Sequence, residues 1–196
     1  MPVPGILRFG AICGVILALS LGIPGAVETF VGETTLTSLV LGLGAAFGVP
    51  ALTAFHLYQG QATGRFGEVA YIVNTIGLSL FACVAFALNT VVFFLPPPVA
   101  KSLLAGPTGT IQLVGVAIFV IGTGLYSAAM VRAKVLPRTP AALYGVTLIL
   151  LAVLAPLPDT PVTGLVHVFA AGSLIWLSMS LLRAPTLRPA PAPDGR

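Results

Sequence analysis

Charge is what this sequence has least of. Nine Lys and Arg and five Asp and Glu are spread over 196 residues, 7% of the chain, where a soluble domain carries roughly a quarter. So little ionic surface cannot coat a globule in water, and no stretch outside the apolar runs is long enough for a separate soluble domain. Cysteine is also scarce. Cys13 and Cys83 both fall inside apolar runs, read as two small buried hydrophobes and not as a disulfide framework. The signatures of common chemistry are missing: no GxSxG elbow, HExxH helix, Walker loop or CxxC pair occurs. Ser173 has no base beside it, and His167, six residues away, lies on another helical face. No catalytic residue, metal-binding set or cofactor is expected from these residues, and the chain does not read as an enzyme.

What is present is apolar length. The chain is 57% hydrophobic, with a mean hydropathy of +1.07. A membrane-spanning helix needs about 20 apolar residues. Six runs approach or meet that length: Ile6–Val27, Leu36–Tyr58, Val69–Leu95, Thr110–Val131, Ala141–Ala155 and Val162–Leu182. Pro50 should kink the second. Pro96, Pro97 and Pro98 are expected to break the chain after the third. The fifth is short and needs thinning of the bilayer or help from its flanks to span. The reading is an all-α, polytopic transmembrane bundle of six helices over residues 1–183. Residues 184–196, with four prolines and three alanines, form a flexible cytoplasmic tail.

The basic residues orient this bundle. If the N-terminus is inside, Arg8, Arg65, Arg132, Lys134, Arg138, Arg183, Arg188 and Arg196 all fall inside, as the excess of Lys and Arg in cytoplasmic segments requires. Lys101 alone falls outside. Both ends are therefore expected in the cytoplasm of a bacterial plasma membrane, with the lipid bilayer as the first partner. The net charge of +4 does not point to nucleic acid, because the cations flank membrane segments and form no patch. Arg8 and the run Pro24-Gly25-Ala26 loosely imitate a secretory signal, but Pro24 and Glu28 make a poor cleavage context. No repeat is visible, although three runs in each half would make the halves oppositely oriented.

Small residues at four-residue spacing, Gly10 with Gly14 and Gly44 with Gly48, together with Gly115, Gly122 and Gly124, mark close helix contacts or a homo-oligomer interface. Intramembrane polar groups are few. His56 reads as an interfacial residue. His167, about five residues inside the outer end of the sixth run, is the candidate polar site with Glu28, Glu33, Asp159 and Asn89. An imidazole beside carboxylates would serve as a proton acceptor or pH sensor, and a lone one as a hydrogen-bonded core residue. The two histidines should lie roughly 15–20 Å apart along the membrane normal at 1.5 Å per residue, too far to share a metal or a haem. Asn74, Asn89 and Gln112 can bond across helices, and Trp176, Tyr126 and Tyr144 read as anchors or core aromatics.

The segment "LTAFHLYQGQATGRFGEVAYIVNTIG", the segment "GTGLYSAAMVRAKVLPRTPAALYGVTLILLAVLAP" and the ending "SLIWLSMSLLRAP" resemble a broad group of small six-helix integral membrane proteins of GC-rich bacteria. Arg65-Phe66-Gly67 matches the Arg and Gly pair of that group's first inner turn, and Leu136-Pro137-Arg138 its basic turn between the fourth and fifth helices. The resemblance covers roughly residues 5–185. It implies the fold and topology and brings no activity or functional residue. The leading expectation is a membrane-embedded binding, interaction or accessory component, with a homo-oligomer or a membrane protein as partner. The alternative is a small transporter or channel-like protein for a neutral or weakly acidic solute, its cavity lined by His167, Asn89, Asn74 and Pro50.

Overall fold

The computed structural model describes residues 4–155 and 160–183, and among them there is no strand. Eight helices follow one another: α1 (Pro4–Val31), α2 (Thr35–Gly44), α3 (Gly48–Gln59), α4 (Gly64–Thr90), α5 (Pro97–Ala105), α6 (Pro107–Ala133), α7 (Arg138–Leu154) and α8 (Pro161–Leu182). The chain is an all-α bundle. Four stretches are long and apolar enough to cross a membrane: Gly5–Val31, Thr35–Phe94, Pro107–Ala133 and Pro161–Leu182. The second of these folds back on itself at Gly60–Thr63 and so contains two rods. Arg138–Leu154 is a shorter apolar helix.

Helix ends follow local chemistry. Thr34 and Thr37 at the start of α2, and Thr160 and Thr163 at the start of α8, each satisfy the other's backbone N–H in a capping box. Lys134 closes α6 in the left-handed region, φ 58°, and Pro137 follows. Two expectations are corrected. Pro96-Pro97-Pro98 was expected to break the chain, but Pro97 and Pro98 open a nine-residue helix, α5, behind an extended Pro96. Proline in a first helical turn forfeits an N–H that has no helical partner anyway. Pro140 likewise lies within the first turn of α7. Around Pro50 the second rod does more than kink. It breaks into α2 and α3 at a 3₁₀ turn, Ala45–Phe47, because Pro50 has no N–H for the carbonyl of Ala46.

The rods form a closed ring. The contacts of small residues give the register and show each neighbour to be antiparallel. Gly14, Gly22 and Gly25 of α1 meet Ser178, Ala171 and His167 of α8. Gly10 of α1 meets Pro50 and Ala54 of α3, and Gly44 meets Ser20. Gly42 and Gly48 of the second rod meet Asn89 with Thr90, and Leu78, of α4. Gly77 of α4 meets the Phe119 backbone of α6, and Gly122 meets that of Asn74. Gly145 of α7 meets Ser127 of α6, and α8 packs on α7 to close the ring. The α1–α8 and α4–α6 pairings are the most extensive. Gly10 and Gly14, open in the sequence to an oligomer interface, are used within the chain.

The centre is filled by Tyr126, Phe55, Phe119, Leu52, Met130, Leu174 and Leu177, all fully or almost fully buried. The exterior is apolar: Phe30 is 87% exposed, Leu36 73% and Ile111 71%. Arg8, Arg65, Arg132, Lys134, Arg138 and Arg183 lie at one end of the ring, at or near the helix termini there. Arg132 stands over the Phe66 ring, 5.2 Å from its centre.

A Cβ added at Gly122 would stand 2.5 Å from the Asn74 backbone, whereas one at Gly172 meets nothing within 4 Å. Gly122→Leu should destabilise the bundle by about 1–3 kcal/mol or more, and Gly172→Leu should not. Thermal unfolding of the two purified variants in detergent tests this, and equal midpoints would refute it.

Candidate functional site

The polar side chains that bond across helices lie in the middle of the bundle and towards its basic end. Two sets lie side by side on α4, one turn apart. The first is built on α3, α4 and α6. His56 stacks on Tyr71 with ring centres 4.0 Å apart and planes within 4°. Tyr126 closes the group at 6.4 Å from His56 and 6.3 Å from Tyr71. The Thr53 hydroxyl donates to the Val49 carbonyl at 2.9 Å, so the Tyr71 hydroxyl donates to Thr53 Oγ1, at 3.1 Å. Gln59 Nε2 donates both to the Phe55 carbonyl and to the Tyr126 hydroxyl, each at 3.1 Å. Gln59 Oε1 and His56 Nδ1 are buried and have no hydrogen-bond partner among the described residues.

The second set joins α4, α6 and α7 through Asn74, which is fully buried. Thr123 Oγ1 donates to Asn74 Oδ1, and Asn74 Nδ2 donates to the Tyr144 hydroxyl, both at 3.0 Å. One turn nearer the basic end, the Ser127 hydroxyl donates to the Ala141 carbonyl at 2.8 Å. Helix geometry explains the grouping. Tyr71, Asn74 and Gly77 share one face of α4 at three-residue spacing, and Thr123 and Tyr126 share one face of α6. These are phenols, amides, hydroxyls and one imidazole. They hold helices in register and suit hydrogen bonding to neutral groups. Among the described residues no group of three His, Cys, Asp or Glu could hold a metal ion.

The residues favoured from sequence lie at the opposite end. His167 on α8 seats its ring against Gly25 of α1, and its Nδ1–H donates to the Thr163 carbonyl at 2.8 Å. Beside it the Thr29 hydroxyl donates to the Gly25 carbonyl at 3.0 Å and fills the space over Gly164. Glu28 is buried on α1, one turn beyond Gly25. Glu33 is exposed and accepts from the Ser38 hydroxyl at the start of α2. Asn89 belongs to the α2–α4 crossing, where it lies against Gly42 and donates to the Ala85 carbonyl at 2.8 Å. Asp159 lies outside the described residues. The α1–α8 contact thus brings His167 close to the turn that carries Glu28, while Glu33 and Asn89 have partners of their own. Gly10 and Gly25, against which Ala54 and His167 pack, are fifteen positions apart on α1. His56 and His167 are therefore separated by more than roughly 20 Å along the bundle.

His56, near the end of α3, is half-buried and stacked on Tyr71 of the neighbouring helix. A usable signal was present. Three of the four tyrosines, Tyr71, Tyr126 and Tyr144, each lie six or seven residues inside a helix end marked by arginine. With the geometry in view, comparison with known proteins adds no relative: no family model, no curated protein and no solved structure matches this chain.

Asn74→Leu breaks bonds to two other helices and should cost about 1–2 kcal/mol, the upper range for polar contacts between membrane helices. Asn89→Leu removes only a bond within its own turn and should cost much less. Unfolding free energies in mixed micelles decide this; similar losses for both would show that the cross-helix bonds contribute nothing.

Proposed function

We propose that this chain is an integral membrane protein of six spans, with its basic end and both termini in the cytoplasm of a bacterial plasma membrane, and that it acts as a binding, interaction or accessory component. The observation that carries this reading is the filled interior: the aromatic and aliphatic side chains at the centre are almost wholly buried. A packed ring offers its outer surface, and not a pore, for recognition. A membrane accounts for the apolar exterior, which water would not tolerate, and for the gathering of six cations at one end. A homo-oligomer or another membrane protein is the partner such a surface fits. Likeness to the small six-helix bacterial proteins named above is part of the same proposal.

A second reading, a small transporter or channel-like protein for a neutral or weakly acidic solute, has one observation in its favour. The second rod is interrupted at Ala45–Phe47, and broken helices recur at transporter binding sites. Two measurements separate the readings. Purified protein in liposomes should not accelerate release of trapped neutral or weakly acidic solutes over empty liposomes, and photo-crosslinkers at lipid-facing positions such as Phe9 and Ile111 should give discrete adducts in cells. Saturable release abolished by Pro50→Ala would replace the first reading with the second.

Orientation has its own test. Cysteines at Thr35 and Gly106 should react with an impermeant thiol reagent added to intact cells, and one at Ala133 only after the cells are opened. Labelling of Ala133 from outside overturns the topology.

A further inference from the structure

Lys101 is the one basic residue among the described residues that stands away from the basic end. It lies on α5, a nine-residue helix between α4 and α6. At 100° per residue, Val99, Leu103, Ala100 and Leu104 form one continuous arc of α5, and Lys101, Ala105 and Ser102 the other. No residue of α5 is buried; Val99 is 51% exposed, Leu103 41% and Leu104 36%. A helix this short is not stable alone in water, and an apolar arc that the protein leaves open needs another cover. Gly106, in an extended conformation, turns α5 off the axis of α6. On either side the chain carries outward-facing apolar residues, Phe94 before α5 and Ile111 and Leu113 after it. The apolar arc of α5 therefore continues the apolar belt of the bundle at the end opposite the cations.

We propose that α5 is an in-plane helix that docks on the phospholipid surface of the leaflet opposite the basic end. Its apolar arc enters the boundary between headgroups and acyl chains, and the Lys101 ammonium pairs with lipid phosphate. The proposal rests on the membrane reading above. Lipid is favoured over a protein partner by size, since a stable protein interface buries about 800 Å² on each side and three large apolar side chains on two turns offer far less. It is also favoured by chemistry: an amphipathic helix with a basic residue beside its apolar face is the form that interfacial helices take, and lysine extends its charge to the headgroups while its stem stays apolar.

The test uses the full chain, with Cys13 and Cys83 replaced by alanine, in vesicles of phosphatidylcholine with or without phosphatidylglycerol. An environment-sensitive fluorophore is attached at Leu103→Cys, Ala105→Cys or Val114→Cys, the last on the outward face of α6. Brominated lipid should quench Leu103 and Val114, and aqueous iodide should quench Ala105 several-fold more than Leu103. Iodide quenching at Leu103 equal to that at Ala105, with Val114 still quenched by lipid, overturns the proposal and leaves the membrane reading intact. Loss of lipid quenching at Val114 as well overturns both. Protection of Leu103 from both quenchers means that a second copy or another protein covers it, which also overturns the proposal. Lys101→Gln should raise iodide quenching at Leu103, more so in vesicles containing phosphatidylglycerol; no change in either lipid overturns the phosphate contact.

Discussion

The close approach of α4 and α6 governs the arrangement of the polar core. At Gly77 and Gly122 the two backbones stand where a single methyl group would not fit. Asn74 is one turn from Gly77, on the same face, so this approach sets how far its amide can reach. With the helices this close, Asn74 accepts from Thr123 on the facing helix and donates to Tyr144 on the next. A wider separation would lengthen both bonds in surroundings without water to replace them. In a bilayer, leucine on such helices would gain little by turning inward, because lipid is as apolar as the protein interior. Contact therefore depends on what fits, and glycine on one helix opposite backbone on the next fits best.

The distribution of side chains follows the same constraint. Exposed positions are filled by Phe, Leu, Ile and Val, while Asn74, Gln59, Thr123, Ser38 and Ser178 are buried. In water this would be a molecule turned inside out. In a bilayer it is economical where a buried hydroxyl or amide finds a carbonyl or another side chain, although Ser178 Oγ and Gln59 Oε1 have no such partner among the described residues. Ser127 and Ser173 find theirs in the Ala141 and Ala170 carbonyls. The cations take the one remaining place, the ends of the helices.

Much of the fold was legible in the sequence because its signals are local. Twenty-residue apolar runs and the arginines beside them need no knowledge of which helix meets which. Proline was less easily read. Its effect depends on position within a turn, so Pro97 and Pro98, read as a break, start a helix, and Pro50, read as a kink, accompanies a 3₁₀ interruption. The candidate site was the least legible part, because inter-helix register decides it. Nothing local to His56 marked the stack on Tyr71 that α4 provides. Gly77 carried no spacing pattern that marked it, yet it meets the Phe119 backbone directly. For His167 the sequence supplied three possible carboxylates; packing against Gly25 leaves it near the turn of Glu28, while Glu33 bonds to Ser38.

The ring also has a consequence for the order of assembly. Every extensive pairing but one joins rods that are consecutive in the chain, and each of these can form as soon as the second rod leaves the ribosome. The exception is α1 with α8, one of the two most extensive pairings. The face of α1 that carries Gly14, Gly22 and Gly25 must therefore wait, unmatched, until α8 has been made. During that interval the partly built protein is an open arc with two unfinished edges, exposed to the membrane insertion machinery and to other nascent helices. Closure follows the other pairings, and it comes at the longest sequence separation among them, where loop-closure entropy is greatest.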